Sequence, residues 1–165
     1  MGEETTLKND VTVRRYVAED LRALYAIEEA CFEPQVRFSR ALMRSLAADP
    51  DCRIWVGIVD GVRAGFAIVG VKGPEQYKGL VEAKAAYLWT IEVLPGFRRM
   101  GVAAALMSRV EESAREAGCL AIELHVMREN LDAVALYEGA GYVRVGVEVG
   151  FYGRGKDGLR YRKPI

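Results

Sequence analysis

Cysteine, histidine and any excess of charge of one sign are what this 165-residue chain has least of. Its three cysteines, Cys31, Cys52 and Cys119, are odd in number and far apart, and there is a single histidine. No CxxC and no Cys/His cluster results, so neither a zinc site nor a disulfide framework is indicated. Free thiols in a reducing compartment are the plain reading, and a cytoplasmic location is the expectation. Lys plus Arg and Asp plus Glu both number 23, for a formal net charge of zero. Nucleic-acid-binding domains usually carry a basic excess, so no nucleic-acid partner is expected. A local basic patch for an anionic ligand stays open. No apolar run is long enough to span a bilayer, and the N-terminus lacks the apolar core of a signal peptide. Met1-Gly2-Glu3-Glu4-Thr5-Thr6 fits the bare myristoylation pattern, but it carries two acids and no basic patch, so no membrane partner is expected. Repeats, low-complexity tracts and interdomain linkers are missing too.

About half of the residues are hydrophobic (51%) and 28% are charged, enough apolar material for one globular domain without staples. Residues 1–10 read as a flexible tail and 11–165 as the domain. Val11 to Tyr16 reads as a first strand. Glu19 and Asp20 suit the start of a helix carrying Leu21, Leu24, Ile27 and Cys31 at helical spacing. Pro34 breaks it, and Ser39 can cap a second helix with Leu42, Met43 and Leu46. Ile54 to Val71 reads as a hairpin about Asp60-Gly61. Gly73-Pro74 to Lys78 reads as a loop, and Ala85 to Val93 as a strand. A helix with the stripe Val102, Leu106, Val110, Ala114 and Ala117 follows and ends at Gly118. Leu120 to Val126 reads as a buried strand, and Asn130 as the cap of a helix that stops near Gly141. Tyr142–Val149 and Leu159–Arg162 form a last strand pair. The order β-α-α-β-β-β-α-β-α-β-β describes an α/β fold, a mixed sheet of about seven strands with helices on both faces.

The most informative stretch is the turn Pro95-Gly96-Phe97-Arg98-Arg99-Met100-Gly101-Val102-Ala103 between a strand and an amphipathic helix. A helix N-terminus leaves backbone N–H groups unpaired and is a ready site for phosphate. Gly101 lets an anion approach the backbone, Ala103 keeps the next turn small, and Arg98 and Arg99 add charge ahead of it. The Walker and Rossmann glycine patterns are both absent. On residue types alone, an ordinary turn with two surface arginines reads equally well.

Arg98-Arg99-Met100-Gly101-Val102-Ala103 resembles the R/Q-x-x-G-x-G/A signature of the GNAT acyltransferase superfamily, with Ala103 for the commoner second glycine. Downstream, Asn130-Leu131-Asp132-Ala133-Val134-Ala135-Leu136-Tyr137-Glu138-Gly139-Ala140-Gly141-Tyr142 is similar to that family's N-x-x-A-x-x-L-Y-x-x-x-G-F segment. The element order fits as well, so the resemblance covers residues 11–165. It implies acetyl-CoA as cosubstrate and no metal. The backbone of Ile91, Glu92 and Val93 would then bind the pantetheine arm. Arg98, Arg99, Met100, Gly101, Val102 and Ala103 would wrap the pyrophosphate, with Asn130 and Tyr137 beyond the thioester.

Acetyl transfer requires the amine in its neutral form. At pH 7 that costs on the order of 1 kcal/mol for an α-amine and about 4–5 kcal/mol for a lysine, so a base of histidine strength suits the first. Alternation places Glu123 and His125 on one face of their strand, opposite Ile122, Leu124 and Val126. Read alone, His125 and Tyr87 are more often structural residues than catalytic ones. Tyr87-Leu88-Trp89-Thr90-Ile91 with Leu124-His125-Val126 is similar to protein N-terminal acetyltransferases of the NatE catalytic-subunit type; the RimI-like branch has glutamate at the place of His125. The resemblance implies that Tyr87 and His125 deprotonate the amine through water and that Tyr137 protonates the departing thiolate. Glu123 reads as a solvated strand residue or as one that orients His125.

Two loops would take the acceptor. Phe32-Glu33-Pro34-Gln35-Val36 resembles the family's aromatic–proline loop. Phe151-Tyr152-Gly153-Arg154-Gly155-Lys156-Asp157 is similar to its Tyr-Tyr-x-x-G-x-D segment, with Phe151 and Lys156 as departures. Phe32, Pro34, Val36, Tyr87, Phe151 and Tyr152 are thus the expected substrate-binding residues, for a protein or peptide N-terminus. An auxiliary subunit or ribosome association fits that class of enzyme. Transfer to a small-molecule amine or a lysine side chain, and a non-catalytic acyl-CoA-binding module, remain as alternatives.

Overall fold

A computed structural model describes residues 10–73 and 84–165. The acyl-acceptor pattern at Gly2, most of the 1–10 tail and most of the loop to Lys78 lie outside these residues. Seven strands, β1 (Val11–Arg15), β2 (Cys52–Val59), β3 (Val62–Gly70), β4 (Ala85–Val93), β5 (Ala121–Met127), β6 (Val143–Glu148) and β7 (Gly158–Pro164), form one sheet in the order β1-β2-β3-β4-β5-β7-β6. Only β4 and β5 pair in parallel; the remaining neighbours are antiparallel. The expected order and sheet are therefore what the chain forms. Helices α1 (Leu21–Cys31) and α2 (Arg40–Ala48) cover one face; α3 (Val102–Glu116) and α4 (Leu131–Gly139) cover the other.

Local signals act where the sequence places them. Ser39 caps α2 by accepting the Leu42 N–H at 3.0 Å, and Asn130 caps α4 through the Ala133 N–H at 3.2 Å. Asp60 and Gly61 both take positive φ, 49° and 78°, as a two-residue hairpin turn requires. The stripe of α3 buries Val102, Leu106, Val110 and Ala114 against β2, β3 and β4.

Three expectations change. Leu120 is exposed and outside β5, because the strand starts at Ala121. Ala117 is exposed too, while Ser113 takes a buried place on α3 and accepts the Trp55 indole N–H at 2.9 Å. Asp20 does not cap α1. It closes a short 3-10 turn at Ala18–Asp20, accepting the Val17 N–H at 2.9 Å. It also takes both Arg14 guanidinium nitrogens, at 2.7 and 2.9 Å, and Arg63 Nε at 2.6 Å. Asp20 is fully buried, and two cations compensate it better than a helix end would. The Arg14 hydrogen bond, working against burial, holds its carboxyl well below the usual range.

Candidate active site

The sheet opens at its centre. Register between β4 and β5 runs only from Ala85–Ala121 to Leu88–Leu124, so β4 beyond Leu88 has no partner on that side. From Thr90 to Glu92 this edge of β4 faces a gap between the two strands. A second irregularity shapes the gap. Opposite β3, Ile68 meets Thr90 and Val69 meets Leu88, so Trp89 is an extra residue in β4. Such a bulge switches the parity of side chains. Ala86 and Leu88 pack toward α3, and beyond the bulge Ile91 and Val93 do so. Thr90 and Glu92 are thereby turned toward α1.

On β5, Ile122, Leu124 and Val126 enter the core beneath α3, as alternation predicts, and His125 faces the other way. Tyr87 Oη and His125 Nδ1 lie 2.8 Å apart, and both side chains are buried. His125 Nε2 is 3.7 Å from a Glu148 carboxylate oxygen, on β6. A carboxylate beside Nε2 favours the proton there, which leaves Nδ1 to accept from the Tyr87 hydroxyl. The Phe151 ring stacks on the imidazole at 4.1 Å and 10°. Burial lowers the pKa of His125 below its usual value, against the opposing pull of Glu148. The imidazole is therefore neutral, and free to take a proton, at pH 7.

Glu123 corrects the expectation of a solvated residue. It is buried, and Arg160 Nη1 stands 3.7 Å from its carboxylate. Arg160 Nε is also 3.7 Å from Glu148, so this arginine joins the acid beside His125 to the acid on the same strand.

A pocket at the gap is lined by His125 and Tyr137 from one side and by Phe32, Val36 and Tyr152 from the other. Ile91 and Asn130 line it too. The expected site residues thus converge from five separated stretches. Pro34, Phe151 and Tyr87 do not line this pocket. Phe151 sits over His125, and the Tyr87 hydroxyl meets the imidazole at Nδ1. Tyr137 is buried, and that burial pushes its hydroxyl well above the usual phenol value, so it stays protonated.

At the end of β4 the chain passes through a short 3-10 turn, Pro95–Phe97, into α3. Gly101, with φ of 86°, precedes the helix in the left-handed region that favours glycine, and a Cβ there would meet nothing within 4 Å. The first bond of the helix is Ala105 N–H to Gly101 O, so the N–H groups of residues 102–104 have no acceptor within it. Arg98, Arg99 and Met100 are exposed around this turn. Arg98 Nε donates to Val93 O at 3.2 Å, which tethers the exposed arginine to the end of β4.

Residues 21–142 match the profile of the Acetyltransferase (GNAT) family. The chain belongs to the acetyltransferase (GNAT) family. An acetyltransferase of Pectobacterium atrosepticum is 31% identical over 135 residues, 81% of this chain and 88% of that protein. The N-alpha-acetyltransferase of Saccharolobus solfataricus is 29% identical over 116 residues, 67% and 68% of the two chains. The thialysine N-epsilon-acetyltransferase of Caenorhabditis elegans is 35% identical over a shorter stretch, 71 residues, which spans 43% of this chain and 44% of that one. In structure, the ribosomal-protein-S18-alanine N-acetyltransferase from Escherichia coli shares the fold, with a TM-score of 0.77, 24% identity and 94% of both chains covered.

Acetyl-CoA is the acyl donor of GNAT acetyltransferases, and the geometry fits it. The edge of β4 from Thr90 to Glu92, which has no β5 residue beside it, offers backbone groups to an extended amide arm. The open approach at Gly101, the free N–H groups of α3 and the neighbouring arginines suit a pyrophosphate. The cysteines offer no nucleophile. Burial pushes the Cys31 thiol up to about 11 and Cys52 to about 12, and it raises Cys119 as well.

Sequence reasoning missed the side chains of three acids here, having named Glu92 for its backbone alone. Glu28 lines the pocket from α1, Glu92 packs behind it from β4, and Glu148 faces His125. Helical spacing held a signal for the first, since Glu28 falls four residues after Leu24 and seven after Leu21 on the buried stripe. A charged Glu92 inside an apolar strand was the signal for the second.

Proposed function

We propose that this acetyltransferase moves the acetyl group of acetyl-CoA onto the α-amino group of protein or peptide N-termini, by direct attack while both substrates are bound. The buried Tyr87–His125 hydrogen bond at the pocket carries this reading. Acetyl-CoA supplies the acyl group. Ile91, Glu92 and Val93 hold the pantetheine arm through backbone groups, and residues 98–103 hold the pyrophosphate. The amine enters between the Phe32–Val36 and Phe151–Tyr152 loops. Its proton passes through water to the Tyr87 hydroxyl, whose own proton moves to His125 Nδ1. Glu148 stabilises the imidazolium that results. Tyr137 gives its hydroxyl proton to the departing sulfur and is restored from the nitrogen. A base of lowered pKa can neutralise an α-amine but is far too weak for a lysine side chain. The similarity to an N-alpha-acetyltransferase over two thirds of both chains agrees with this choice.

A second reading is transfer to a small-molecule amine, favoured by the 35% identity to an enzyme named for thialysine. Thiol release with three acceptor sets decides between them: peptides with a free α-amine, the same peptides Nα-blocked with an internal lysine, and free diamines. The first reading predicts turnover on the first set. Turnover on diamines alone overturns it in favour of the second.

A further inference from the structure

Glu28 and Glu92 are buried acids that the transfer chemistry above leaves without a task for their side chains. They are 2% and 3% exposed. Glu28 Oε1 accepts the Phe38 N–H at 2.7 Å, and Glu92 Oε2 accepts the Thr90 hydroxyl at 2.9 Å. Among the described residues, no donor N–H or hydroxyl reaches Glu28 Oε2 or Glu92 Oε1. Burial, reinforced by the neighbouring Glu28 carboxyl, pushes the Glu92 carboxyl well above the usual carboxylate range. The Glu92 carboxyl is thereby protonated, and Glu28 is the acid of the pair that lines the pocket. No lysine or arginine among the described residues forms an ion pair with either group. A buried charge without a counter-ion is costly, so a site that keeps one is built for a cation that arrives later.

The charge is not sealed away. Glu28 lines the same pocket as His125, and Phe32, Phe38, Trp89 and Tyr152 stand around that pocket. Aromatic faces beside a carboxylate attract ammonium and guanidinium groups. The reacting nitrogen is a poor candidate for this place. It must be neutral to attack, and an adjacent carboxylate favours its protonated form. A cation that stays charged throughout suits it instead. Glu28 reaches in from α1 over β4, and His125 comes from β5, so one acceptor can engage both walls.

We propose that Glu28, backed by Glu92, is the acceptor-specificity residue and binds a second cationic group, distinct from the amine that is acetylated. The acceptor class is then a primary amine with a further ammonium or guanidinium nearby, either an N-terminal residue with a basic side chain or a free diamine. The inference rests on the placement of the reacting amine at Tyr87–His125.

The test compares peptides that differ only in a first residue of lysine or norleucine, alongside 1,5-diaminopentane and pentylamine, on the wild-type protein. The lysine peptide is expected to exceed its norleucine twin by at least about tenfold in kcat/KM, mostly through KM. Mass spectrometry should place the acetyl group on its α-amine. Glu28→Gln and Glu92→Gln should bring that ratio toward one. The wild-type ratio decides the matter even where a variant fails to fold. A diamine preference with no peptide turnover supports the cation site and overturns the peptide reading. Equal rates on lysine and norleucine peptides overturn the inference and leave the peptide reading standing. Turnover of none of the four amines removes both.

Discussion

Replacing Tyr87 by phenylalanine removes one oxygen atom from the centre of the site and leaves the ring's packing in place. The ring still meets Trp89 edge-on at 5.2 Å, so the perturbation is confined to the 2.8 Å bond with His125 Nδ1. Both groups are buried, so no bulk water replaces the lost donor, and the orphaned nitrogen should cost about 1–2 kcal/mol of stability. For a domain of this size that is a fall of roughly 3–6 °C in Tm. Catalysis should suffer more. In the proposed relay Nδ1 receives the proton from the amine, and without the hydroxyl that relay is broken and the imidazole is free to turn. General-base assistance is worth about 10²–10⁴-fold, and because His125 itself remains, a loss of about 10–100-fold in kcat is expected. KM for acetyl-CoA should stay within about twofold, since residues 98–103, proposed to hold the pyrophosphate, lie at the far end of β4. Thiol release with a saturating acceptor peptide, paired with thermal unfolding, reads both effects. A kcat equal to that of the wild type would refute the relay. A fall in kcat matched by a large rise in KM for acetyl-CoA would point instead to a displaced β4.

Other perturbations probe separate parts of the account. Phe151→Ala uncovers His125, and because burial is what lowers its pKa, the acid limb of kcat/KM should move up toward about 6.5; an unmoved limb would mean that Phe151 does not set the imidazole's environment. Gly101→Ala puts a side chain on a residue at φ of 86° and should cost about 1 kcal/mol in Tm measurements. It should also raise KM for acetyl-CoA more than it lowers kcat, and the reverse pattern would remove residues 98–103 from the cofactor site. Asp20→Asn leaves Arg14 and Arg63 facing a neutral group and should cost about 2–3 kcal/mol. The Asp20 carboxyl is depressed in the fold, so its contribution is present above the unfolded value of about 4 and lost as pH falls below it. The stability gap between the two proteins should therefore be constant from pH 7 to 5 and shrink in stronger acid. A gap that already closes near pH 6 would contradict the ion-pair account.

Much of the architecture was legible because its signals are local. Apolar spacing, the caps at Ser39 and Asn130, and the Asp60-Gly61 turn each act over a few residues, and each formed as expected. The strand-to-helix turn ending at Gly101 was legible for the same reason. What escaped depends on pairing between distant strands. The extra residue at Trp89 has no mark in the sequence, and simple alternation would have put Thr90 and Glu92 on the α3 face with Ala86 and Leu88. The bulge sends them to α1 instead, which creates the contact of Glu92 with Glu28. Glu123 was misjudged because its partner, Arg160, lies on a strand that inserts next to β5 from the end of the chain. Asp20 was read only as an acid at a helix start because Arg14 and Arg63 meet it only after β1 and β3 are in place.

A crystal structure with a bisubstrate conjugate, in which the α-nitrogen of a short peptide is joined to coenzyme A through the acetyl carbon, tests the central claim most directly. The account predicts the pyrophosphate on the backbone N–H groups at the start of α3 and the pantetheine along β4 from Trp89 to Val93. It places the peptide nitrogen within one water of the Tyr87 hydroxyl, between Phe32 and Tyr152. A conjugate whose nitrogen lies away from Tyr87 and His125, or whose peptide leaves the pocket by another route, would contradict it.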